Sequence, residues 1–267
     1  MTCILKTKSG RRNLRKINKT QEDDNELIIF SHENPNASWE DFRHYNSGKD
    51  YDIIKEKIFI NQSQLCAYCE TSLDNVTKNN KRIEHFRSKS DKNATHNIAL
   101  DWNNIIGVCL GGTDNISKKD YELPTNLSCD SYKAYIEDKE SIKDKDWNGK
   151  ILSPLTIPDA PLLFVFDKLT GKLFPDEENC KLINIENNIY STTRELIERT
   201  INVFNLNCER LNKARLIIFR ELQRRLKSKN LLLIENFTKS WNRSYPLSFQ
   251  TTRDIILKDN KITSRFL

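Results

Sequence analysis

The chain has 267 residues, of which 37% are hydrophobic and 30% charged, and its formal net charge is +6. This length allows one large domain or two smaller ones, and a high charged fraction with only seven glycines indicates a polar, helix-rich globular protein, not a barrel or a disordered chain. No apolar stretch has the length of a membrane span, and the basic N-terminal stretch lacks the apolar core of a secretory signal. We therefore expect a cytoplasmic protein with no membrane partner.

The first predicted region, residues 1–60, combines a basic arm with a helical lead-in. The arm occupies residues 1 to about 20, and its cations are Lys6, Lys8, Arg11, Arg12, Arg15, Lys16 and Lys19. Such a run is more typical of a solvated, partly mobile arm than of a phosphate-contacting or docking segment, which is the alternative. From Trp39 to Leu65 apolar residues recur at helical spacing, which predicts a helical segment whose aromatic stripe of Trp39, Phe42 and Tyr45 faces the core.

The last predicted region, residues 146–267, is a β-hairpin followed by helices. The apolar run from Leu162 to Phe166 and the pair Leu173-Phe174 flank a turn near Thr170-Gly171. Apolar periodicity then predicts helices over 189–228, with a break at Asn205-Leu206-Asn207, over 230–241 and over 251–257. The predicted fold class is mainly α with a small β-containing unit, that is α+β.

The middle region, residues 61–145, contains a set of cysteines with metal-ligand spacing. Cys66 and Cys69 form a CxxC pair, and Cys109 and Cys129 lie on either side of a long insertion. One Zn²⁺ ion can accept both thiolates of a CxxC pair, and two further thiolates complete a tetrahedron. The alternatives are a redox CxxC pair, which would need a preceding strand and a following long helix, or four unrelated buried thiols. We predict a structural Cys₄ zinc site with closed coordination, and free thiols at Cys3, Cys180 and Cys208.

Four short motifs surround these cysteines in a fixed order. They are Cys66-Ala-Tyr-Cys69-Glu70, Ile83-Glu84-His85-Phe86-Arg87-Ser88-Lys89, Trp102-Asn103-Asn104-Ile105 and Cys129-Asp130-Ser131-Tyr132-Lys133. In this order the sequence resembles the HNH endonucleases, and more closely their PtuB-like branch, over about residues 39 to 140. The motifs of that branch, which these segments resemble, are CxYCE, IEHFxPK and WxNL. They are followed by a final cysteine, with Asn, His or Asp after it and then a lysine. This chain has Ser88 in place of the proline, Ile105 in place of the leucine and Asp130 after the last cysteine.

The resemblance implies a zinc-stabilised ββα-metal module that hydrolyses phosphodiester bonds. Glu84 and Asp130 would bind a catalytic Mg²⁺ or Mn²⁺ ion, which prefers oxygen ligands, and His85 would activate water as the general base. Asn104 would brace the loop and orient the histidine. Lys133 could reach a phosphate, and a solvated helix lysine is an equally good interpretation. Trp102 is predicted to be a core anchor. His96 is either a loop residue, which we favour, or an accessory ligand.

The resemblance also implies a biological setting and partners. The PtuB-like branch supplies the nuclease of Septu and of some retron antiphage defence systems, which implies a DNA substrate and a PtuA-like ATPase. A retron reverse transcriptase with its hybrid nucleic acid is a further implied partner, and the C-terminal helices would be the docking surface. Two other functions stay open: a catalytically silent, zinc-bound nucleic-acid-binding or scaffold protein, and an RNase or tRNase, because the site does not by itself select the sugar.

Overall fold

The computed structural model describes residues 16–20, 24–89, 95–140, 146–158, 162–242 and 245–267. Three helices open the fold: α1 (Glu26–Glu33), α2 (Trp39–His44) and α3 (Lys49–Asn61). Asn25 caps α1 by accepting the backbone N–H groups of Leu27 and Ile28, and Ser38 and Asp41 form a capping box at the start of α2.

The predicted helical segment from Trp39 to Leu65 is wrong in its continuity. A 3₁₀ turn over Tyr45–Gly48 separates α2 from α3, and Asn46 and Ser47 have φ angles of 46° and 56° in the left-handed region. Trp39 and Phe42 are buried as predicted, whereas Tyr45 is 43% exposed because it begins this turn. Its ring still contacts Phe30, with a centroid distance of 4.8 Å.

A small antiparallel sheet and a helix form the middle of the chain. Strand β1 (Lys81–His85) pairs with β2 (Ile105–Cys109) so that Lys81 lies opposite Cys109 and His85 opposite Ile105. Two helices follow β2, the short α4 (Asn115–Asp120) and then α5 (Cys129–Lys139). The loop between the strands contains 3₁₀ turns at Ile98–Leu100 and Trp102–Asn104.

The C-terminal region contains the predicted hairpin and the predicted helices. Strand β3 (Phe164–Phe166) pairs with β4 (Leu173–Pro175) in a second two-stranded sheet. The helices are α6 (Glu177–Leu182), α7 (Thr193–Val203), α8 (Glu209–Lys227), α9 (Leu231–Trp241) and α10 (Gln250–Lys258). The predicted break at 205–207 separates α7 from α8, which confirms that boundary, while α6 was not anticipated. Helices with two small sheets confirm the α+β class.

Two hydrophobic clusters hold these elements together. The smaller one packs α1, α2 and α3 against Trp102 and Ile105, so Trp102 is the core anchor that was predicted. The larger one runs from the cysteine region through β2 and the β3–β4 hairpin to α10. The cysteine region and the C-terminal helices therefore share one buried core.

Only the end of the basic arm belongs to the described residues. Lys6, Lys8, Arg11, Arg12 and Arg15 lie outside them. Ile17 is buried and its N–H donates to the carbonyl of Pro154 at 2.8 Å, while the Lys19 ammonium lies 4.2 Å from the centre of the Trp102 ring. This end of the arm is therefore packed on the protein, unlike the solvated arm expected.

None of the helices in the described ranges is both long enough and apolar enough to cross a bilayer.

Candidate active site and cysteine cluster

The four predicted cysteine ligands lie together in the core. Their Sγ atoms are all within 4.8 Å of one another, and all four side chains are buried. The distances Cys66–Cys129, Cys69–Cys109 and Cys109–Cys129 are each 3.8 Å between Sγ atoms. Four sulfurs at about 2.3 Å from a tetrahedral zinc ion stand about 3.8 Å apart, so the donor set fits zinc in both chemistry and spacing.

Each pair of cysteines is positioned by local backbone structure. Cys66 and Cys69 lie in a tight turn, in which the Cys66 N–H donates to the carbonyl of Thr71 at 3.0 Å. Cys109 ends β2, and its Sγ accepts the N–H of Gly111 at 3.3 Å. Cys129 begins α5. Because the CxxC pair is in a turn and no long helix follows it, the geometry favours a metal knuckle over a redox pair.

Glu70, the last residue of the first motif, has a structural role that the sequence did not reveal. It is 5% exposed, and its carboxylate accepts the Thr251 N–H at 2.8 Å and the Thr251 hydroxyl at 2.6 Å. Its backbone carbonyl accepts the N–H of Phe249 at 2.9 Å. Glu70 thus caps the N-terminus of α10 and joins the cysteine knuckle to the C-terminal helices. Its place in the motif was the only signal available.

Arg215 on α8 is a second residue that sequence reasoning missed. It is 1% exposed, and its guanidinium donates to the carbonyls of Leu206 and Gly171 and to the side-chain oxygen of Asn212. Burial lowers its pKa to about 10, while nearby Cys69 and Glu70 act in the opposite direction. A zinc ion with four thiolates is a dianion, so a buried cation beside it compensates part of that charge.

The acid–histidine motif lies at the end of β1 and lines a cavity of about 240 Å³. Glu84 lies on β1 and Asp130 in the first turn of α5. The titratable side chains that line the cavity are Glu84, His85, Lys89, Asp130, Lys133 and Glu137. Residues from β1, the loop after it and α5 therefore meet at one site.

Lys133 stands between the two carboxylates predicted to bind the catalytic metal. Its ammonium group forms an ion pair with Glu84 and lies 3.8 Å from Asp130 Oδ1. The Lys133 side chain is 7% exposed, so the interpretation as a solvated helix lysine is wrong. Burial, aided by Asp130, raises the pKa of Glu84 to about 8 although Lys133 acts in the opposite direction. Glu84 therefore favours the uptake of a proton or another cation at this site.

His85 is held in one orientation by a carbonyl and an aromatic ring. Its Nε2 lies 2.9 Å from the carbonyl oxygen of Ala99, and the Trp39 ring meets it edge-on with a centroid distance of 4.6 Å. A carbonyl can only accept, so Nε2 carries the proton and Nδ1 keeps the free lone pair. Burial lowers the pKa of His85 to about 4, which leaves the imidazole uncharged near neutral pH.

Asn104 braces the loop that follows β1. Its Oδ1 accepts the Arg87 N–H at 2.8 Å, and its Nδ2 donates to the carbonyls of Arg87 and Ile98 at 3.0 and 3.1 Å. The carbonyl of Asn104 also accepts the N–H of Phe86 at 2.9 Å. These bonds fix the backbone of Phe86 and Arg87, the two residues that follow His85.

His96 lies apart from the residues lining this cavity. Its side chain is 57% exposed and its Nε2 lies 3.1 Å from Asp101 Oδ2. This position agrees with the loop interpretation that the sequence favoured.

The carboxylate pair suits a hard divalent ion with few protein ligands. Among the described residues, the four cysteines are the one group of three or more His, Cys, Asp or Glu ligand atoms within 4.8 Å of one another. Glu84 and Asp130 add two carboxylates, which is what Mg²⁺ commonly takes from a protein, with water and phosphate supplying the remaining ligands. The residues present therefore fit such an ion.

Comparison with known proteins gives the family. The chain matches none of the protein-family models with which it was compared. It is 46% identical over 255 residues to an Escherichia coli protein named as an HNH endonuclease of retron Ec83, an alignment covering 95% of this chain and 98% of that protein. It is also 31% identical over 90 residues to a Vibrio cholerae O1 El Tor protein named as an HNH endonuclease of retron Vc95, covering 30% of this chain and 42% of that one. The chain therefore belongs to the HNH endonuclease family in its retron-associated form, and it is a hydrolase that acts on nucleic acids.

Proposed function

We propose that this chain is a Mg²⁺- or Mn²⁺-dependent DNA endonuclease whose active site is the cavity between β1 and α5. The observation that carries the proposal is that the uncharged His85, held by its bond to the Ala99 carbonyl, lines the same cavity as the carboxylates of Glu84 and Asp130. In this proposal β1, β2 and α5 form the ββα-metal unit, and the Cys₄ zinc is structural because its coordination is closed.

Each side chain of the site has a separate role in the proposed reaction. His85 accepts the proton of the attacking water at Nδ1, because Nε2 is already occupied by its bond to the Ala99 carbonyl. Asn104 keeps that imidazole in place through the loop backbone. Lys133 adds positive charge to the cavity, which favours the entry of a phosphodiester. Glu84 and Asp130 would hold the divalent ion, which when bound supplies neutralisation of the transition-state charge and support for the leaving oxygen.

The names of the relatives suggest the setting. Both are assigned to retrons, so we propose that this chain is the effector nuclease of a retron antiphage defence complex in the cytoplasm. Its proposed partners are a PtuA-like ATPase, as in Septu systems, and a retron reverse transcriptase with its hybrid nucleic acid. Duplex DNA is the proposed substrate, and RNA is tested beside it because the catalytic groups act on the phosphate.

The test is cleavage of plasmid DNA and of RNA by the full chain together with the proteins encoded beside it. Manganese should support cleavage and a chelator should stop it. His85→Ala should lower the rate by about 10²–10⁴-fold, the usual contribution of a general base, and leave the zinc content unchanged. His32→Ala is the matched control, because His32 is exposed on α1. If the complete assembly binds nucleic acid without any metal-dependent cleavage, the scaffold interpretation replaces this one. Cleavage of RNA alone would assign an RNase.

A further inference from the structure

The exposed face of α8 carries cations that the proposed active site does not use. Arg220, Arg224 and Lys227, which we call the α8 row, recur at spacings of four and three residues and are all exposed. Leu211, Ile218 and Leu222, on the opposite face, are buried in the core. The row is therefore a single solvent-facing stripe.

On other helices, several exposed cations pair with an acid one turn away. Examples are Lys181 with Glu178 at 2.8 Å, Arg194 with Glu198 at 2.9 Å and Lys239 with Glu235 at 2.6 Å. Within the described ranges of the chain, no member of the α8 row forms an ion pair. Arg220 and Arg224 stand four residues apart and Arg224 and Lys227 three, so like charges are neighbours on the helix surface, which disfavours the helix.

The helix dipole accounts for only part of this arrangement. Cations near a helix C-terminus are favourable, which covers Arg224 and Lys227 in the last turn. Arg220 lies outside the last turn. The segment 220–229 contains five cations and one acid, a net charge of +4 within ten residues. This end of α8 is therefore a dense patch of positive charge.

The start of α8 is attached to the segment that leads into the active site. The Arg210 guanidinium donates to Ser128 Oγ at 2.8 Å, and its backbone N–H donates to Asn126 Oδ1 at 3.1 Å. Ser128 immediately precedes α5, which carries Asp130. Measured along the axis of α8, the row lies about 15–25 Å from Arg210.

We propose that the α8 row binds the phosphate backbone of a nucleic-acid duplex at a site separate from the cleavage cavity. The proposal rests on the proposed nuclease function and extends it to a second contact with nucleic acid. The row spans about 10 Å, and a duplex presents about one phosphate per 1.7 Å of its axis, so several phosphates fall within reach. Because the contact is with phosphates, both a DNA duplex and an RNA–DNA hybrid fit it, and the experiment compares them.

The experiment measures binding by the full chain in a His85→Ala background, so that cleavage does not interfere. Arg220, Arg224 and Lys227 are changed to Gln, and the matched control changes Lys168, Lys172 and Lys181, which are exposed on other elements, to Gln. Fluorescence anisotropy follows a DNA duplex and an RNA–DNA hybrid over a salt series. The plot of log affinity against log salt concentration has a negative slope, whose magnitude should decrease by about 0.9 for each lost phosphate contact. Loss of all three contacts of the row should therefore decrease it by about 2.7. The control should keep the original slope.

One further variant and the chain with an intact His85 separate the outcomes. Changing Arg220 and Arg224 to Lys keeps the charge and should keep binding, and an unchanged circular-dichroism spectrum of the Gln variant excludes misfolding as the cause. Equal affinities and slopes for the row variant and the control would overturn the proposal. So would a row variant that keeps duplex binding and loses a protein encoded beside it, since the row would then be a protein contact. If the chain with an intact His85 binds duplexes but never cleaves them, the proposed function fails and the row proposal stands.

Discussion

The carboxylate of Glu70 accepts both the backbone N–H and the side-chain hydroxyl of Thr251, at 2.8 and 2.6 Å. The two residues are 181 positions apart, and the contact ties the CxxC knuckle to the first turn of α10. A buried carboxylate at a helix N-terminus satisfies donors that would otherwise lack partners, and its charge is favoured by the helix dipole. The knuckle and the C-terminal helix are therefore expected to depend on one another.

Glu70→Ala should destabilise the protein by about 2–3 kcal/mol, because it removes two charge-assisted hydrogen bonds and leaves a buried N–H unpaired. Glu70→Gln keeps one acceptor oxygen and should lose less. Urea denaturation followed by circular dichroism measures both. Glu140→Ala, at an exposed position after α5, serves as the control and should change little. Equal stability of the Glu70 and Glu140 variants would contradict the capping role.

Zinc removal should affect the C-terminal helices as well as the cysteine region. The Cys129 N–H donates to the carbonyl of Phe204 at 2.8 Å, and the Tyr68 and Phe204 rings stack with a centroid distance of 3.8 Å, so the metal site and the end of α7 are in direct contact. We expect a strong chelator to lower the helical signal, since zinc binding supplies about 10–16 kcal/mol in small zinc domains.

Cys129→Ser should reduce the zinc content measured by metal analysis, whereas Cys180→Ser should retain one zinc per chain, because Cys180 is buried away from the cluster. If the protein without zinc keeps the helical content and the melting midpoint of the zinc-bound protein, the metal site and the C-terminal helices do not depend on one another.

The candidate residues of the site could be identified from the sequence, but their packing could not. Glu84, His85, Asn104 and Asp130 occur in short motifs whose order resembles that of the HNH endonucleases, and this resemblance, not residue spacing alone, singled them out. The contact between Glu70 and Thr251 joins segments that are distant in the sequence, and no local sequence pattern predicts it. The break at 45–48 was missed because the apolar period continues across it, although Asn46-Ser47-Gly48 is itself a turn signal. Helices of six residues, such as α6, give too little periodicity to detect.

Asn104→Ala should reduce cleavage by about 10²-fold, the effect of a small misplacement of a catalytic group. The change removes the acceptor of the Arg87 N–H and both donors to the Arg87 and Ile98 carbonyls, so the loop beside His85 loses its brace. Duplex binding should be nearly unchanged, because the lost contacts are internal. Asn103→Ala is the control on the neighbouring exposed residue. Single-turnover cleavage rates and duplex affinity are measured for each variant. A loss of duplex affinity with an unchanged cleavage rate would place Asn104 in substrate binding instead.

Lys133→Met should make the stability of the protein depend more strongly on a divalent ion. The ammonium group is the positive charge between Glu84 and Asp130, and its removal leaves two carboxylates facing each other in a largely buried site. Breaking a buried ion pair costs about 3–5 kcal/mol, and uptake of a proton by Glu84, whose pKa is already raised, reduces that loss.

Manganese should restore the stability of Lys133→Met, since an ion that binds only the folded state stabilises it in proportion to the logarithm of its concentration. The measurement is the melting temperature over a Mn²⁺ titration, with Lys139→Met as the control because Lys139 is exposed on the same helix. The Mn²⁺-induced rise should be larger for Lys133→Met than for the wild type or the control. An equal rise in all three proteins would show that Glu84 and Asp130 do not share the ion.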